Sequence, residues 1–220
     1  MKYKARFAEF FNQSNGILMK KILLIVCVFI TSYGYAQDLK FGVKAGLNLT
    51  NIVGDGSDGK TNTRYYVGGF LNKSINEVVS FQSELLISMQ GAKVDTRESK
   101  FDYKVNTTYL NIPLLLKIRL GAWDRVHLFA GPQVGFPLKS EEIVDDGSLK
   151  RVYDIKKYVN PVDFSLNLGF SFNVRGNLSL DLRYNRGFSK VYQFDGELLD
   201  VGDEDKDYNS VIQLGASYSF

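Results

Sequence analysis

The chain has 220 residues, enough for one domain, and a formal net charge of +3 from 27 basic and 24 acidic residues. Five of the basic residues (Lys2, Lys4, Arg6, Lys20, Lys21) and one acid, Glu9, fall in positions 1–36, leaving 22 basic against 23 acidic residues beyond them. That near-neutral remainder has no basic field to attract nucleic acid, and a single cysteine, Cys27, excludes a disulfide framework.

Met19-Lys20-Lys21 opens a charged segment, and positions 22–30 form a short apolar run. The run is too short to span a bilayer as a helix. Gly34-Tyr35-Ala36 has the small-x-small form of a cleavage site. Residues 1–36 are therefore expected to be a signal peptide, with Met19 as an alternative initiator and a mature start near Gln37. Cys27 would leave with it, and with it any cysteine nucleophile or cysteine-based metal site.

Beyond Gln37 the sequence is dominated by period-two alternation, in which successive side chains of a strand point to opposite faces. Phe41, Val43, Ala45, Leu47 and Leu49 alternate with Lys40, Gly42, Lys44, Gly46 and Asn48. A Gly- and Asp-rich loop at 54–63 follows, then a less regular strand from Tyr65 to Ile75 and a short turn at Asn76-Glu77. Val79, Phe81, Leu85 and Ile87 next oppose Gln82, Glu84, Leu86 and Ser88. A polar stretch at 93–106 leads to Leu110, Ile112, Leu114, Leu116 and Ile118 on one parity, with Asn111, Pro113, Lys117 and Arg119 on the other. Pro113 has no N–H, so a missing bond or bulge is expected there. After a turn at 121–125, Leu128, Ala130, Val134 and Phe136 alternate with Phe129, Gly131, Gln133 and Gly135.

A polar segment at 139–160 precedes the most regular stretch of the chain. Phe164, Leu166, Leu168, Phe170, Phe172 and Val174 oppose Asp163, Ser165, Asn167, Gly169, Ser171 and Asn173. Arg175-Gly176-Asn177 turns the chain, and Leu178, Leu180, Leu182 and Tyr184 resume against Ser179, Asp181 and Arg183. A polar segment at 189–208 leads to the last strand, where Ile212, Leu214, Ala216, Tyr218 and Phe220 share one parity.

About eight strands joined alternately by long loops and short turns predict an all-β, closed, antiparallel, up-and-down transmembrane β-barrel over residues 37–220. Its apolar face is expected to meet outer-membrane lipid, and its small polar face to fill the lumen. A soluble lipocalin-type barrel would reverse the two faces. Lys44, Glu84, Lys117, Asp181 and Arg183 fall on the inward parity. Eight strands leave little room for hydrated charges, so these are expected to pair across the lumen; the alternative is that they line a thin column of water. Tyr65, Tyr66, Tyr109, Tyr184, Tyr218 and Phe220 read as interfacial girdle residues. Tyr218 and Phe220, on the lipid face of the last strand, are the expected assembly signal for the outer-membrane insertion machinery.

The start FGVKAGLNLTN after a signal ending in YAQ, the strand TYLNIPLLLKIRLG, the strand HLFAGPQVGFPL and the final aromatic resemble the PorT-type outer-membrane β-barrel family across the mature chain. The resemblance implies the barrel fold and the outer membrane of a Gram-negative bacterium. It also implies a secretion-system partner, since the family's namesake is an accessory of type IX protein secretion. No catalytic residues come with it.

His127 is the only histidine and has no serine at the next same-face position on its own strand. Asp203, Asp205 and Asp207 have calcium-like spacing, but neither the glycine nor the closing glutamate of such a loop. No catalytic, cofactor or metal site is therefore expected. The predicted function is that of a monomeric, non-enzymatic barrel that scaffolds or binds a protein partner through its outer loops. A narrow solute channel is the first alternative, and a lipid-modifying barrel enzyme the second.

Overall fold

A computed structural model describes residues 39–53, 59–95, 102–121, 125–145, 149–191 and 208–220. The expected signal segment with Cys27, and the acidic triplet Asp203, Asp205 and Asp207, lie outside the described residues. The strands are β1 (Leu39–Val53), β2 (Gly59–Lys60), β3 (Asn62–Ser74), β4 (Val79–Asp95), β5 (Asp102–Arg119), β6 (Val126–Asp145), β7 (Lys150–Asp154), β8 (Asp163–Arg175), β9 (Leu178–Gly187) and β10 (Tyr208–Ser219). Every pairing is antiparallel. β1 is held by β3 on one side and β10 on the other, and β4 pairs with β5, so the eight long strands close into a barrel. β2 and β7 are short additions to β4 and β6.

The two faces of this barrel are inverted relative to a protein in water. Phe41, Leu47, Leu85, Phe164, Leu168 and Leu180 are exposed, whereas Lys44, Asn48, Glu84, Asn167, Asp181 and Arg183 are buried. A continuous apolar exterior of this kind needs a nonpolar solvent, and closure removes the unpaired edges that lipid could not satisfy.

β6 has 20 residues. At roughly 3.3 Å per residue it reaches about 66 Å, well beyond the ~9–11 residues a tilted strand needs to cross a bilayer. The polar segments at 93–106 and 139–160 are accordingly strand in large part, not loop. β4 and β5 stay paired as far as Asp95↔Asp102, β5 and β6 as far as Asp102↔Asp145, and β7 pairs back onto β6. Likewise, in the expected loop at 54–63, β2 is strand and β3 starts at Asn62. Alternation fades there because both faces of an emerged strand meet water, so only backbone pairing marks the strand.

Prolines mark the irregular points. Pairing between β4 and β5 skips from Ser83↔Leu114 to Leu86↔Asn111, leaving a gap beside Pro113. The same happens beside Pro132, between Pro113↔Gln133 and Leu116↔Ala130. The one register shift between β5 and β6 falls at Thr108/Tyr109, opposite Pro137. A residue without an N–H cannot complete a ladder, so each is placed where the ladder is already broken. At the β8–β9 turn Gly176 has φ +56°, a conformation that glycine provides at the first position of a two-residue hairpin turn.

Tyr66 and Tyr109 are not girdle residues. Both are buried inside the barrel, while Tyr65, Tyr184, Tyr218 and Phe220 are exposed. Tyr66 is paired with Gly46, and a Cβ at Gly46 or Gly215 would collide with its ring or hydroxyl. Phe70 lies over its partner Gly42 and Phe129 over its partner Gly169 in the same way. Inward glycines thus make room for inward rings on the neighbouring strand.

Candidate functional site

Three strands deliver charge to one layer of the lumen. The alternation that sends Leu85 and Leu180 outward sends Glu84 of β4 and Asp181 of β9 inward, and likewise Lys44 of β1 and Arg183 of β9. Glu84 Oε1 accepts hydrogen bonds from Lys44 Nζ at 3.0 Å and Arg183 Nη2 at 2.8 Å. Lys44 Nζ also lies 3.2 Å from Asp181 Oδ2. The Glu84 side chain is 0% exposed and those of Lys44 and Arg183 are 1% and 2% exposed, so this layer holds two cations and two anions away from water. Ions can be held in such surroundings only by close partners.

Lys117 stands apart. It sits on β5 beside β4, but its register partner is Ser80, four positions along the strand from Glu84. Lys117 Nζ instead donates to Gln82 Oε1 at 3.2 Å, and Gln82 Nε2 donates to Glu84 Oε1 at 2.6 Å. Gln82 is the intermediary that sequence patterning gave no reason to single out. Phe129 is a second missed residue: its ring lies 5.1 Å from the Arg183 guanidinium carbon and 5.9 Å from Lys117 Nζ.

Toward the long-loop end the lumen continues as an amide network. Gln213 Nε2 donates to Asn48 Oδ1 at 2.8 Å, and Asn48 Nδ2 donates to Ser88 Oγ at 2.9 Å. Asn185 Nδ2 donates to Ser165 Oγ at 2.9 Å and Asn167 Oδ1 at 3.1 Å. Higher still, Asn209 Nδ2 donates to Asp163 Oδ2 at 3.2 Å, and Thr50 Oγ1 donates to the Gly91 carbonyl. Toward the short-turn end, a cavity of about 190 Å³ opens below Lys117 and Gln82 and is lined by His127, Lys40 and Phe220.

His127 does have a serine beside it, though not on its own strand: its register partner on β8 is Ser171. Among the described residues no hydrogen bond joins them, and His127 Nδ1 is without a partner. Asp181 is the register partner of Ser171 and not of the imidazole, so the row reads His-Ser-Asp across three strands. A nucleophilic triad needs the base between nucleophile and acid. Among the described residues, no group of three His, Cys, Asp or Glu side chains comes together to hold a metal ion.

The family described as outer membrane protein beta-barrel domain matches residues 35–193. The chain belongs to that family. This outer membrane β-barrel protein accordingly sits in the lipid of a Gram-negative outer membrane, where the exposed apolar belt finds its solvent. Among solved structures, it is similar to Neisserial surface protein A (NspA), at 12% identity and a TM-score of 0.50, over 82% of this chain and 97% of that one. Ail, the attachment invasion locus protein of Yersinia pestis, aligns at 14% identity and a TM-score of 0.49, over 84% of this chain and 100% of its own. CarO2 of Acinetobacter baumannii aligns at 12% identity and 0.45, over 82% and 99%. The likeness to NspA supports the fold alone. No curated protein matches the sequence.

Barrels of this class keep short turns in the periplasm and long connections outside. Epitopes inserted between Asp145 and Leu149 are therefore expected to be labelled on intact cells, and epitopes inserted at Gly176 only after permeabilisation. Labelling in the opposite sense would invert the orientation.

Proposed function

We propose that this outer membrane β-barrel protein is a non-enzymatic, closed-lumen barrel that acts as a scaffold or binding protein through its outer strands and loops. The observation that carries the proposal is the charge layer of Lys44, Glu84, Asp181 and Arg183, whose buried side chains meet across the lumen. Moving an ion through that layer would mean breaking contacts that have no water to replace them. The long strands β4, β5 and β6, which rise past the bilayer, offer a surface for a partner. A solute channel is the less favoured function on this geometry, and a lipid-modifying enzyme less favoured again, since the imidazole is not hydrogen-bonded to its neighbouring serine. The resemblance to PorT-type barrels supports a secretion-system component as the partner, to be tested by crosslinking from β7 in cells with and without that system.

Reconstituted in planar bilayers, the wild-type protein is expected to show little steady conductance. Large, stable open channels would defeat the closed-lumen proposal. The same preparation, purified from cells, should begin at Gln37 by N-terminal sequencing if residues 1–36 act as a signal peptide. Retention of Cys27 would overturn that part.

A further inference from the structure

The charged side chains that line the cavity at the periplasmic end are all basic. Lys40, Lys117 and His127 line it, together with hydroxyl and amide groups such as Ser80, Asn173 and Ser217, and among the described residues no Asp or Glu does. The charge layer above is internally balanced, Lys44 and Arg183 against Glu84 and Asp181. Among the described residues Lys117 has no carboxylate within ion-pair distance. An ammonium carries three donors. One of them goes to a neutral acceptor, Gln82 Oε1, and the Phe129 ring covers another side. The remaining side faces the cavity that Lys117 lines.

We propose that this vestibule binds a phosphate group, with Lys117 at its head and Lys40 and His127 on its walls. The two lysine ammonium groups supply two positive charges. That matches a phosphate monoester and exceeds what one carboxylate would neutralise. The hydroxyl and amide donors supply neutral hydrogen bonds to the remaining phosphate oxygens. The volume of about 190 Å³ is far more than the ~10–15 Å³ a single water needs, so a tetrahedral oxyanion with a substituent fits. Phe70 forms part of the wall and lowers the local polarity, which strengthens charge-assisted bonds. The phosphate could belong to a soluble periplasmic compound or to a headgroup of the inner leaflet at the rim.

The test uses the mature barrel folded in a phosphate-free maltoside detergent and titrated with inorganic phosphate by calorimetry. A parallel arm uses nanodiscs with and without phosphatidic acid, read by phosphorus NMR. Saturable binding is expected, weakened at least about tenfold in Lys117→Met, the equivalent of ~1.4 kcal/mol for one lost charged contact. Lys150→Met on β7 should leave it unchanged. If Lys117→Met does not fold, Lys40→Met at the exposed mouth provides the same comparison. Binding of inorganic phosphate in detergent supports the soluble source. A phosphatidic acid signal sensitive to Lys117, without binding of inorganic phosphate, supports the lipid source. Failure of the wild type to bind either probe, or equal binding by wild type and variant, overturns the proposal.

Discussion

Replacing Glu84 with alanine is expected to lower the stability of the folded barrel by about 3–5 kcal/mol, because removing one partner of a buried ion cluster leaves the others uncompensated. Glu84 Oε1 is the acceptor shared by Lys44 and Arg183. Without it, two buried cations face Asp181 alone, and the layer carries a net positive charge in surroundings that exclude water. Urea titration of the protein in liposomes, followed by heat-modifiable gel migration, measures the loss. The second arm of the experiment is Glu84→Ala combined with Lys44→Met. The double variant restores one cation against one anion and should be less destabilised than the sum of the two single variants. A Glu84→Ala protein within about 1 kcal/mol of the wild type would mean that the cluster behaves like a hydrated surface pair, and the closed lumen would fall with it.

The strands of this cluster were legible from alternation alone, and its contacts were not. The parity of Phe164 to Val174 against Asp163 to Asn173 gives both faces of β8 without any structural knowledge, because lipid on one side and a packed lumen on the other impose opposite chemistries. Contacts across the lumen depend instead on register and closure. Arg183 reaches Glu84 on a strand 99 positions away in the chain, and Lys117, on the strand adjacent to Glu84, sits too far along it for direct contact. Pairing strength within one sheet carries no signal for either fact. Tyr66 was within reach of sequence reasoning. Tyr65 and Tyr66 are consecutive, so on a strand they cannot both face lipid, and the glycines at Gly46 and Gly215 leave space for a ring inside. The emerged parts of β5 and β6 were out of reach, since a strand wet on both faces loses the periodicity that announces it.

Deleting Phe220 should affect assembly far more than it affects the finished barrel. Phe220 ends the seam where the barrel closes: β10 pairs with β1 from Tyr208 to Ser219, and the Phe220 N–H donates to the Phe41 carbonyl at 2.8 Å. On the lipid face its ring lies 5.3 Å from Phe41 and 5.4 Å from Tyr218, a small aromatic cluster around the short-turn end of the seam. Each such ring pair contributes about 0.5–1.5 kcal/mol, and one backbone hydrogen bond a similar amount. Loss of the residue should therefore lower the equilibrium stability of refolded protein by only a few kcal/mol. Insertion in the cell poses a harder demand. The closing strand must be found and aligned before any of the other β10 contacts with β1 can form, and the exposed Tyr218 and Phe220 are the groups that the insertion machinery would meet on it. A several-fold drop in folded, membrane-inserted protein is expected, with periplasmic proteolysis of the remainder, while refolding in detergent micelles stays efficient. Phe220→Leu keeps the backbone bond and an apolar side chain, so it separates the seam from the aromatic signal: partial recovery of stability without recovery of insertion would assign the effect to recognition. If the truncated protein reaches the outer membrane with unchanged yield and unchanged gel migration, Tyr218 and Phe220 are girdle residues only and carry no assembly signal.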